Sequence, residues 1–556
     1  MSDTNNTFKI GLCMAGAISG GAYTAGAIDF LLEALEDWQR RKDNKEPNTP
    51  SHNIQISVIG GASAGGMTGV IAASAIQNEI EPVRKLDGDI LATKPNNKFY
   101  NSWVDILSND MLSILLNTSD ITKEKGLESL LNSDFIDTIA DKAINISEKN
   151  VISRKYISEN LKIFVTLSNL EGINFSVSFK SNSQKHSRYV INSHNDYACF
   201  KLCNNEQDYT NDGWIPLNFK TKLNTEIAKN AAMATGAFPM GLKARKISRS
   251  INYMNDLEWL FHITKAAQNP FNDEPYNTVN VDGGLINNEP FDKIRELLMK
   301  EMPISDPEDF QDYNKFKSTI LMIDPFPSEQ IAFDKNTNLS TIFENTIEAM
   351  LGQARIKPSV LIDAMDSKKA GQFLIAPVRH EKIDNFKKTI EGKRAIACGS
   401  LNGFGGFISK EFRIHDYFLG RANCEKFLRD HFTVPANNTN EIFVTGYSGI
   451  INKSQFTSMT DHGLQIIPIF TERQSEPYMP TFSNRKQWPS VTRNYISSYR
   501  KLIAARIEKL LLNFTNYSII DKMLLWLGAK VLLNRKISNT LIDKIIESLE
   551  DHKLLK

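Results

Sequence analysis

Short apolar runs alternate with longer segments of helical character over the first eighty residues of the chain. Residues 9–14 and 54–59 predict buried strands, because each run is apolar, short and followed by small residues that favour a turn. A helix is predicted after each strand, the first ending near Asp37 and the second covering residues 67–75. This order is typical of an α/β fold with three α/β/α layers and a mostly parallel central sheet.

The turn after the second strand carries the first chemical signal. It reads Gly61-Ala62-Ser63-Ala64-Gly65, which is a G-x-S-x-G pattern. Small residues allow the sharp turn that exposes a serine hydroxyl between a strand and a helix. The N-terminus of that helix places N–H groups where developing negative charge is stabilised. Because Gly, Ala and Ser are common, an ordinary strand–helix turn is an equal alternative for this motif taken alone.

A glycine-rich loop, Gly16–Gly21, follows the first strand. Such a loop exposes backbone N–H groups, which bind a phosphate or form an oxyanion hole. The loop lacks the G-x-G-x-x-G spacing of dinucleotide-binding proteins and the Gly-Lys-Ser/Thr of a Walker motif. The absence of both nucleotide-binding patterns therefore favours an oxyanion hole.

An acidic residue ends a third apolar run, at Val281-Asp282-Gly283-Gly284. Open α/β sheets place functional residues at the carboxyl ends of their strands, so Asp282 is a candidate partner for Ser63. The alternative is an ordinary Asp-Gly turn, which is frequent in proteins.

Together, these three segments resemble the patatin-like phospholipase family of lipid acyl hydrolases. The resemblance implies a Ser–Asp dyad, with Ser63 as nucleophile and Asp282 as base. Leu161–Leu170 and Ala234–Pro239 are similar to two further family segments, so the resemblance covers roughly residues 8–325. The other residues that it assigns to the site belong to the oxyanion hole, the nucleophile elbow and the turn after the base: Gly16, Ala17, Ile18 and Ala64; Gly61 and Gly65; Gly283 and Gly284.

The glycine-rich loop departs from the family pattern, which usually reads G-G-G-x-R/K-G. Gly16 and Gly21 keep the outer glycines, whereas Ala17 and Ile18 replace the inner ones. Gly20 stands where the family has a basic residue. Backbone N–H groups survive such replacements, so the hole can still form, but a positive charge that helps to fix the loop is lost.

The resemblance implies hydrolysis of phospholipids or other glycerolipids at their carboxylic esters, through an acyl-enzyme. Two alternatives stay open at this point. The acyl group can pass to an alcohol or lipid instead of water, which would make the protein an acyltransferase. The changed loop can also have impaired catalysis, which would leave a lipid-binding or regulatory module.

Composition adds limits to this interpretation. The chain has 65 basic and 64 acidic residues, so no strong attraction for nucleic acid is expected. Five cysteines in 556 residues argue against a disulfide framework and favour a reducing compartment. The sequence shows no calcium-type loop and no zinc set, so we expect no metal and no cofactor. We expect a cytoplasmic location, because a signal peptide and an apolar membrane span are both missing; peripheral membrane contact and the oligomeric state stay open.

The expected domain organisation has two parts. A catalytic domain covers residues 1–330 with a helical insertion over about 85–160, and a mainly helical C-terminal extension covers residues 331–556, as in a bacterial-type subgroup of the family. The insertion lies between the nucleophile and the later strands, a position that suits either a lid over an acyl chain or a helical packing layer. Apolar residues 519–533 predict a buried helix more strongly than an interfacial one. We expect His415 to be structural and paired with an acid.

Overall fold

The computed structural model describes residues 7–328, 372–471, 476–513 and 534–556, together with the single positions 338, 342 and 349. Gaps within these ranges are 106, 123–125, 146–151, 179, 181–187, 204–211, 258–270, 272–273, 303–306 and 384–385. The apolar segment 519–533, predicted to form a buried helix, lies outside the described residues.

Thirteen strands occur in the described residues. They are β1 (Thr7–Met14), β2 (Asn53–Gly61), β3 (Ile157–Ser178), β4 (Arg188–Leu202), β5 (Ile215–Leu217), β6 (Arg245–Arg249), β7 (Tyr276–Asp282), β8 (Ser318–Ile323), β9 (Gln372–Ile375), β10 (Val378–Ile383), β11 (Phe386–Glu391), β12 (Thr433–Val434) and β13 (Leu464–Gln465).

Fourteen α-helices accompany these strands in the described residues. They are α1 (Gly21–Asp43), α2 (Ser63–Ala75), α3 (Ile90–Thr93), α4 (Lys98–Tyr100), α5 (Met111–Leu116), α6 (Phe135–Ile144), α7 (Thr225–Thr235), α8 (Ile251–Asp256), α9 (Phe291–Glu301), α10 (Lys410–Asp430), α11 (Glu441–Gly446), α12 (Arg493–Ser498), α13 (Arg500–Asn513) and α14 (Asn534–Asp551). None of them is long and apolar enough to cross a bilayer.

The central sheet has the order β5-β4-β3-β2-β1-β8-β9, and β6 and β7 pair beside β3. Its middle strands β3, β2, β1, β8 and β9 run parallel, whereas β4 and β7 are antiparallel to β3. The predicted α/β fold with a mostly parallel sheet is confirmed. The carboxyl ends of β1 and β2 therefore meet at one edge, where the glycine-rich loop and the serine turn begin.

Two apolar cores lie on opposite faces of this sheet, because side chains alternate along each strand. In β1, Phe8, Ile10, Leu12 and Met14 contribute to the core beneath α1, α2 and α7. Cys13 contributes to the opposite core, where α9 packs. A Cβ added to Gly11 would lie 2.2 Å from Ile294 Cγ2, so the glycine lets α9 approach closely.

The C-terminal extension packs against the same sheet and helices. Strand β9 pairs with β8 in parallel, so the sheet continues beyond residue 330. Helix α10 packs along α1, and both helices contribute buried residues to one core. This packing explains why α1 is buried on almost all sides over its first fifteen residues. The division at residue 330 stays a prediction.

Glycines set the distance between α1 and α10. A Cβ on Gly26 would lie 1.9 Å from the Tyr417 carbonyl oxygen, and one on Gly420 would lie 2.1 Å from the Tyr23 carbonyl oxygen. Arg421 of α10 also forms a buried ion pair with Asp29 of α1 and a partly buried one with Glu33. The two helices consequently meet at backbone contact distance.

Replacing Gly420→Ala should therefore destabilise the protein by about 1–3 kcal/mol, because the added methyl group meets backbone that cannot turn aside. Urea unfolding followed by circular dichroism would measure the change. Gly449→Ala is the matched control, since its Cβ would meet nothing within 4 Å. Equal midpoints for the two variants would show that the helices are not in tight contact.

Candidate active site

Ser63 lies at the turn that joins β2 to α2, where its φ angle is +49°. A non-glycine residue rarely adopts this conformation, and such strain is common at functional sites. A Cβ on Gly65 would lie 2.2 Å from the Met14 carbonyl oxygen, and one on Gly61 would lie 2.6 Å from the Gly65 carbonyl carbon. Only glycine fits at these two positions, so the small residues of the motif allow the turn. The helix begins at Ser63 itself, four residues before the predicted start.

Ser63 and Asp282 come together at the end of the sheet. Ser63 Oγ donates a hydrogen bond to Asp282 Oδ2 at 2.7 Å, and each residue is only 6% exposed. The other carboxylate oxygen, Oδ1, accepts a hydrogen bond from the Gly284 N–H at 2.8 Å. Gly283 is required here because a Cβ would lie 2.1 Å from the Thr166 carbonyl oxygen. The turn after the aspartate thus fixes the direction of its carboxylate.

Neighbouring segments hold this pair from both sides. The Asp282 N–H donates to the Ala237 carbonyl oxygen, and Ser168 Oγ donates to the Asp282 carbonyl oxygen. The Ser63 N–H donates to Thr235 Oγ1 at 2.9 Å. Thr235 and Ala237 belong to Ala234–Pro239, one of the two further segments that resemble the family. The sequence did not show that Thr235 would hold the serine backbone.

The glycine-rich loop lies directly against the nucleophile. A Cβ on Gly16 would be 2.8 Å from Ser63 Cβ and 2.4 Å from Asn288 Oδ1. Among the described residues, the N–H groups of Gly16 and Ala17 have no hydrogen-bond acceptor. The Ala64 N–H lies in the first turn of α2, where helical N–H groups lack an intrahelical partner. The N–H groups of Gly16, Ala17 and Ala64 therefore lie on the loop and the helix that flank Ser63.

The Phe326 ring lies close to Gly20, the position where the family has a basic residue. A Cβ on Gly20 would lie 3.1 Å from this ring and 3.2 Å from Ala17 Cβ, so any side chain there requires its neighbours to shift. Neither Phe326 nor Asn288 carried a signal in the sequence, because both reach the loop through tertiary contacts alone.

An apolar cavity opens beside Ser63. Helix α6 of the insertion supplies one wall. The polar side chains that line the cavity are Ser63, Ser102 and Lys229. Lys229 Nζ pairs with Asp141 and Glu226, so its charge is balanced. The other lining residues are almost all apolar, and they come mainly from α2, α6, α7 and the segment between α4 and α5: Ile18, Ala64, Met67, Val70, Ile71, Trp103, Leu107, Leu115, Phe135, Ile136, Ile139, Ala140, Ala143, Ile144, Ala232, Met233, Gly236, Leu242 and Phe407.

The remaining reactive groups are buried in the fold. Burial raises the pKa of the Cys13, Cys199 and Cys398 thiols well above the ordinary value, which disfavours the nucleophilic thiolate. His415 is also buried, and its Nδ1 lies 2.7 Å from Asp416 Oδ1. Within the described ranges, no group of three or more His, Cys, Asp or Glu side chains is arranged to hold a metal ion.

A serine elbow at the edge of an α/β sheet, beside an apolar cavity, is typical of enzymes that act on acyl esters. The family model described as patatin-like phospholipase matches residues 12–294. The chain therefore belongs to the patatin-like phospholipases, a family of lipid acyl hydrolases, as its motifs predicted.

Two individual proteins are also similar to the chain. The uncharacterized protein y4iI of Sinorhizobium fredii (strain NBRC 101917 / NGR234) is 28% identical over 552 residues, which cover 90% of this chain and 75% of that protein. The crystal structure of VipD from Legionella pneumophila is 10% identical, with 98% of this chain and 88% of that chain covered. Its TM-score of 0.23 is too low to inform fold or function.

Asp324 is a further carboxyl group close to the loop, at the end of β8. Its Oδ1 accepts a hydrogen bond from the Phe326 N–H at 2.8 Å. Burial, together with the nearby charge of Glu289, raises the pKa of Asp324 from 3.8 to about 7. The folded protein therefore keeps a proton there that the unfolded chain releases near pH 4.

Between about pH 4 and pH 7, stability should fall as the pH rises, because the folded state binds more protons at Asp324 than the unfolded state does. Asp324→Asn keeps an acceptor for the Phe326 N–H and removes this dependence. Between pH 5 and pH 8, we expect the free energy of unfolding of the wild type to fall by about 2–3 kcal/mol relative to that of Asp324→Asn.

Free energies of urea unfolding at the two pH values would test this expectation. The exposed Asp87→Asn is the control and should keep the wild-type pH dependence. Parallel pH profiles for the wild type and Asp324→Asn would contradict it.

Proposed function

We propose that the protein hydrolyses carboxylic esters of phospholipids or other glycerolipids through an acyl-enzyme on Ser63. The observation that carries the proposal is the 2.7 Å hydrogen bond from Ser63 Oγ to Asp282 Oδ2, formed at an apolar cavity. A hydroxyl bonded to a carboxylate in this way has a base in reach for its proton.

Catalysis starts when Ser63 Oγ attacks the ester carbonyl carbon and its proton moves to Asp282 Oδ2. The carbonyl oxygen becomes an oxyanion, which accepts hydrogen bonds from the N–H groups of Gly16, Ala17, Ile18 and Ala64. Collapse of this intermediate breaks the bond to the alcohol, which leaves with the proton from Asp282. Water, deprotonated by the same carboxylate, then attacks the acyl-enzyme carbonyl. The bond to Ser63 Oγ breaks, Asp282 returns the proton to Ser63 Oγ, and the fatty acid is released.

The cavity supports a long acyl chain as the group next to the scissile carbonyl. Its walls are apolar apart from two serines and one lysine, so burial of methylene groups there is favourable, at about 0.8 kcal/mol each. The ammonium group of the lysine is paired with two carboxylates, so it leaves no unbalanced charge for a head group. An acyl chain therefore suits the cavity better than a charged head group does.

Two other functions use the same residues differently. Acyl transfer requires only that an alcohol replace water as the acceptor, so acylated alcohol formed at the expense of free fatty acid would favour it. A binding-only module has no need of an activated serine. The close Ser63–Asp282 contact supports hydrolysis over that alternative.

A fluorophosphonate probe should label the wild type on Ser63, because its phosphorus accepts the same attack as an ester carbonyl. Ser63→Ala should abolish the labelling, and Asp282→Asn should slow it by about 100- to 10,000-fold through loss of the base. Mass spectrometry of the labelled peptide measures both effects.

Ser74→Ala is the control for these variants. It removes a buried hydroxyl from the same helix, one within hydrogen-bond distance of the Ile71 and Ala143 carbonyl oxygens; Ser74 itself does not line the cavity. Its labelling should match the wild type. A folded wild type that takes up no label would contradict the proposed function.

A bulky side chain in the cavity should separate substrates by chain length. Ala140→Phe narrows the α6 wall, so we expect at least about 10-fold slower hydrolysis of a 16-carbon acyl ester, whose methylenes need that space. A four-carbon ester should be hydrolysed within about 2-fold of the wild-type rate, since its short chain needs little of the cavity.

Thr138→Phe places the same ring on the exposed side of α6 and should leave both rates unchanged. The kcat/KM ratio for the two esters is the measurement. Equal losses on both esters in Ala140→Phe would argue against an acyl-chain site.

A further inference from the structure

The C-terminal extension reaches the glycine-rich loop through one buried serine. Ser19 Oγ donates a hydrogen bond to the Gly403 carbonyl oxygen at 2.5 Å and accepts one from the Gly406 N–H at 3.0 Å. Ser19 is 2% exposed, so water does not compete for these bonds. It lies one residue after Ile18 of the oxyanion loop. Residues 396–407, which we call the buttress segment, are thus bonded to the loop itself.

The Phe326 ring completes the contact between loop and buttress segment. A Cβ on Gly20 would lie 3.1 Å from this ring and one on Gly403 would lie 3.0 Å from it, so the ring packs between the two glycines. The Gly403 Cβ would also lie 3.3 Å from Ile18 Cβ. Phe407, at the end of the buttress segment, lines the cavity together with Ile18. The ring therefore lies against Gly20, the position where the family has a basic residue.

Helix α10 holds the buttress segment in place from behind. The Asp416 carboxylate accepts hydrogen bonds from the Ala397 and Cys398 N–H groups, both at 2.8 Å. Arg413 Nη1 donates to the Gly406 carbonyl oxygen at 2.5 Å. Both charged side chains are fully buried, and His415 is bonded to Asp416. These bonds fix the segment at both ends.

The same helix packs at backbone contact distance against α1, which starts at Gly21 where the loop ends. The contacts therefore form a closed circuit. The glycine-rich loop contacts the buttress segment, the buttress segment contacts α10, and α10 contacts α1, which begins where the loop ends. Movement of the loop away from Ser63 would break the Ser19 hydrogen bonds or displace Phe326. The circuit leaves the loop little freedom, although the loop itself has no basic residue.

We propose that the buttress segment positions the oxyanion hole of the Ser63 site, with Ser19 as the positioning residue that connects the two. The proposal rests on the proposed hydrolase function. Ser19 acts through the backbone of its neighbours and does not touch the substrate. The extension thereby takes over the fixing of the loop, which the family pattern assigns to a basic residue at the position of Gly20.

Ser19→Ala tests the connection, because it removes the hydroxyl and leaves every backbone N–H of the hole in place. We expect kcat for a soluble short-chain ester to fall about 10- to 100-fold, as a small displacement of catalytic groups costs up to about 100-fold. KM should change by less than about 2-fold, since the cavity wall is intact. Ser19→Cys keeps a weaker hydrogen-bonding group, so its kcat should lie between those of the wild type and Ser19→Ala.

Fluorophosphonate labelling separates positioning from damage to the fold. A displaced hole slows the labelling of Ser63 in proportion to kcat, yet all molecules are labelled in the end. A partly unfolded variant instead shows a lower final extent of labelling. A slower rate with a complete end point in Ser19→Ala is the expected result, and an incomplete end point with an unchanged rate would overturn the proposal.

Ser458→Ala is the matched control. Ser458 is a buried serine of the extension whose hydroxyl donates to the Asp430 carbonyl oxygen and accepts from the Thr460 N–H, away from the loop. Its thermal midpoint should fall about as far as that of Ser19→Ala, while its kcat and labelling rate stay at the wild-type values. Equal kcat losses in the two variants would also overturn the proposal.

The two proposals fail in different ways. If the wild type neither hydrolyses esters nor takes up the probe, the hydrolase function fails and the positioning role fails with it. If the wild type is active and Ser19→Ala equals it in kcat and labelling rate, only the positioning role fails.

Discussion

The close approach of the serine turn to the end of β1 is the constraint on which the site depends. Gly65 packs against the Met14 carbonyl oxygen with no room for a methyl group. This contact brings Ser63 and the start of α2 close to the glycine-rich loop that follows β1. The parallel pairing of β1 with β2 makes it available, because both strands then end at the same edge.

Burial decides how the polar groups near this edge behave. Ser63 and Asp282 are almost fully enclosed, and each carboxylate oxygen of Asp282 has a defined donor. Asp324, at the end of β8, is buried near the charge of Glu289, and both effects raise its pKa. These two aspartates at strand ends therefore have different environments, one hydrogen-bonded to a hydroxyl and the other pushed toward its neutral form.

The C-terminal extension is part of the structure around the site. Strand β9 extends the central sheet, α10 covers α1, and residues 396–407 touch the glycine-rich loop. A chain ending near residue 330 would expose the apolar face of α1 and remove Arg421, the cation paired with Asp29. It would also remove both hydrogen-bond partners of Ser19. The motifs of the candidate site all precede residue 330, but part of their surroundings follows it.

The sequence by itself determined the α/β fold, the family and the candidate pair Ser63 and Asp282. These features depend on local rules, since a strand, a glycine turn and a helix are read from neighbouring residues. Tertiary structure decided the rest: that Thr235 holds the serine backbone, that Phe326 fills the space beside Gly20, and that Ser19 bonds to Gly403. Each of these contacts joins residues far apart in the chain, and no periodicity or spacing encodes such a pairing. Their physical origin is the shape left between packed elements, which exists only after the sheet and both helical layers have formed.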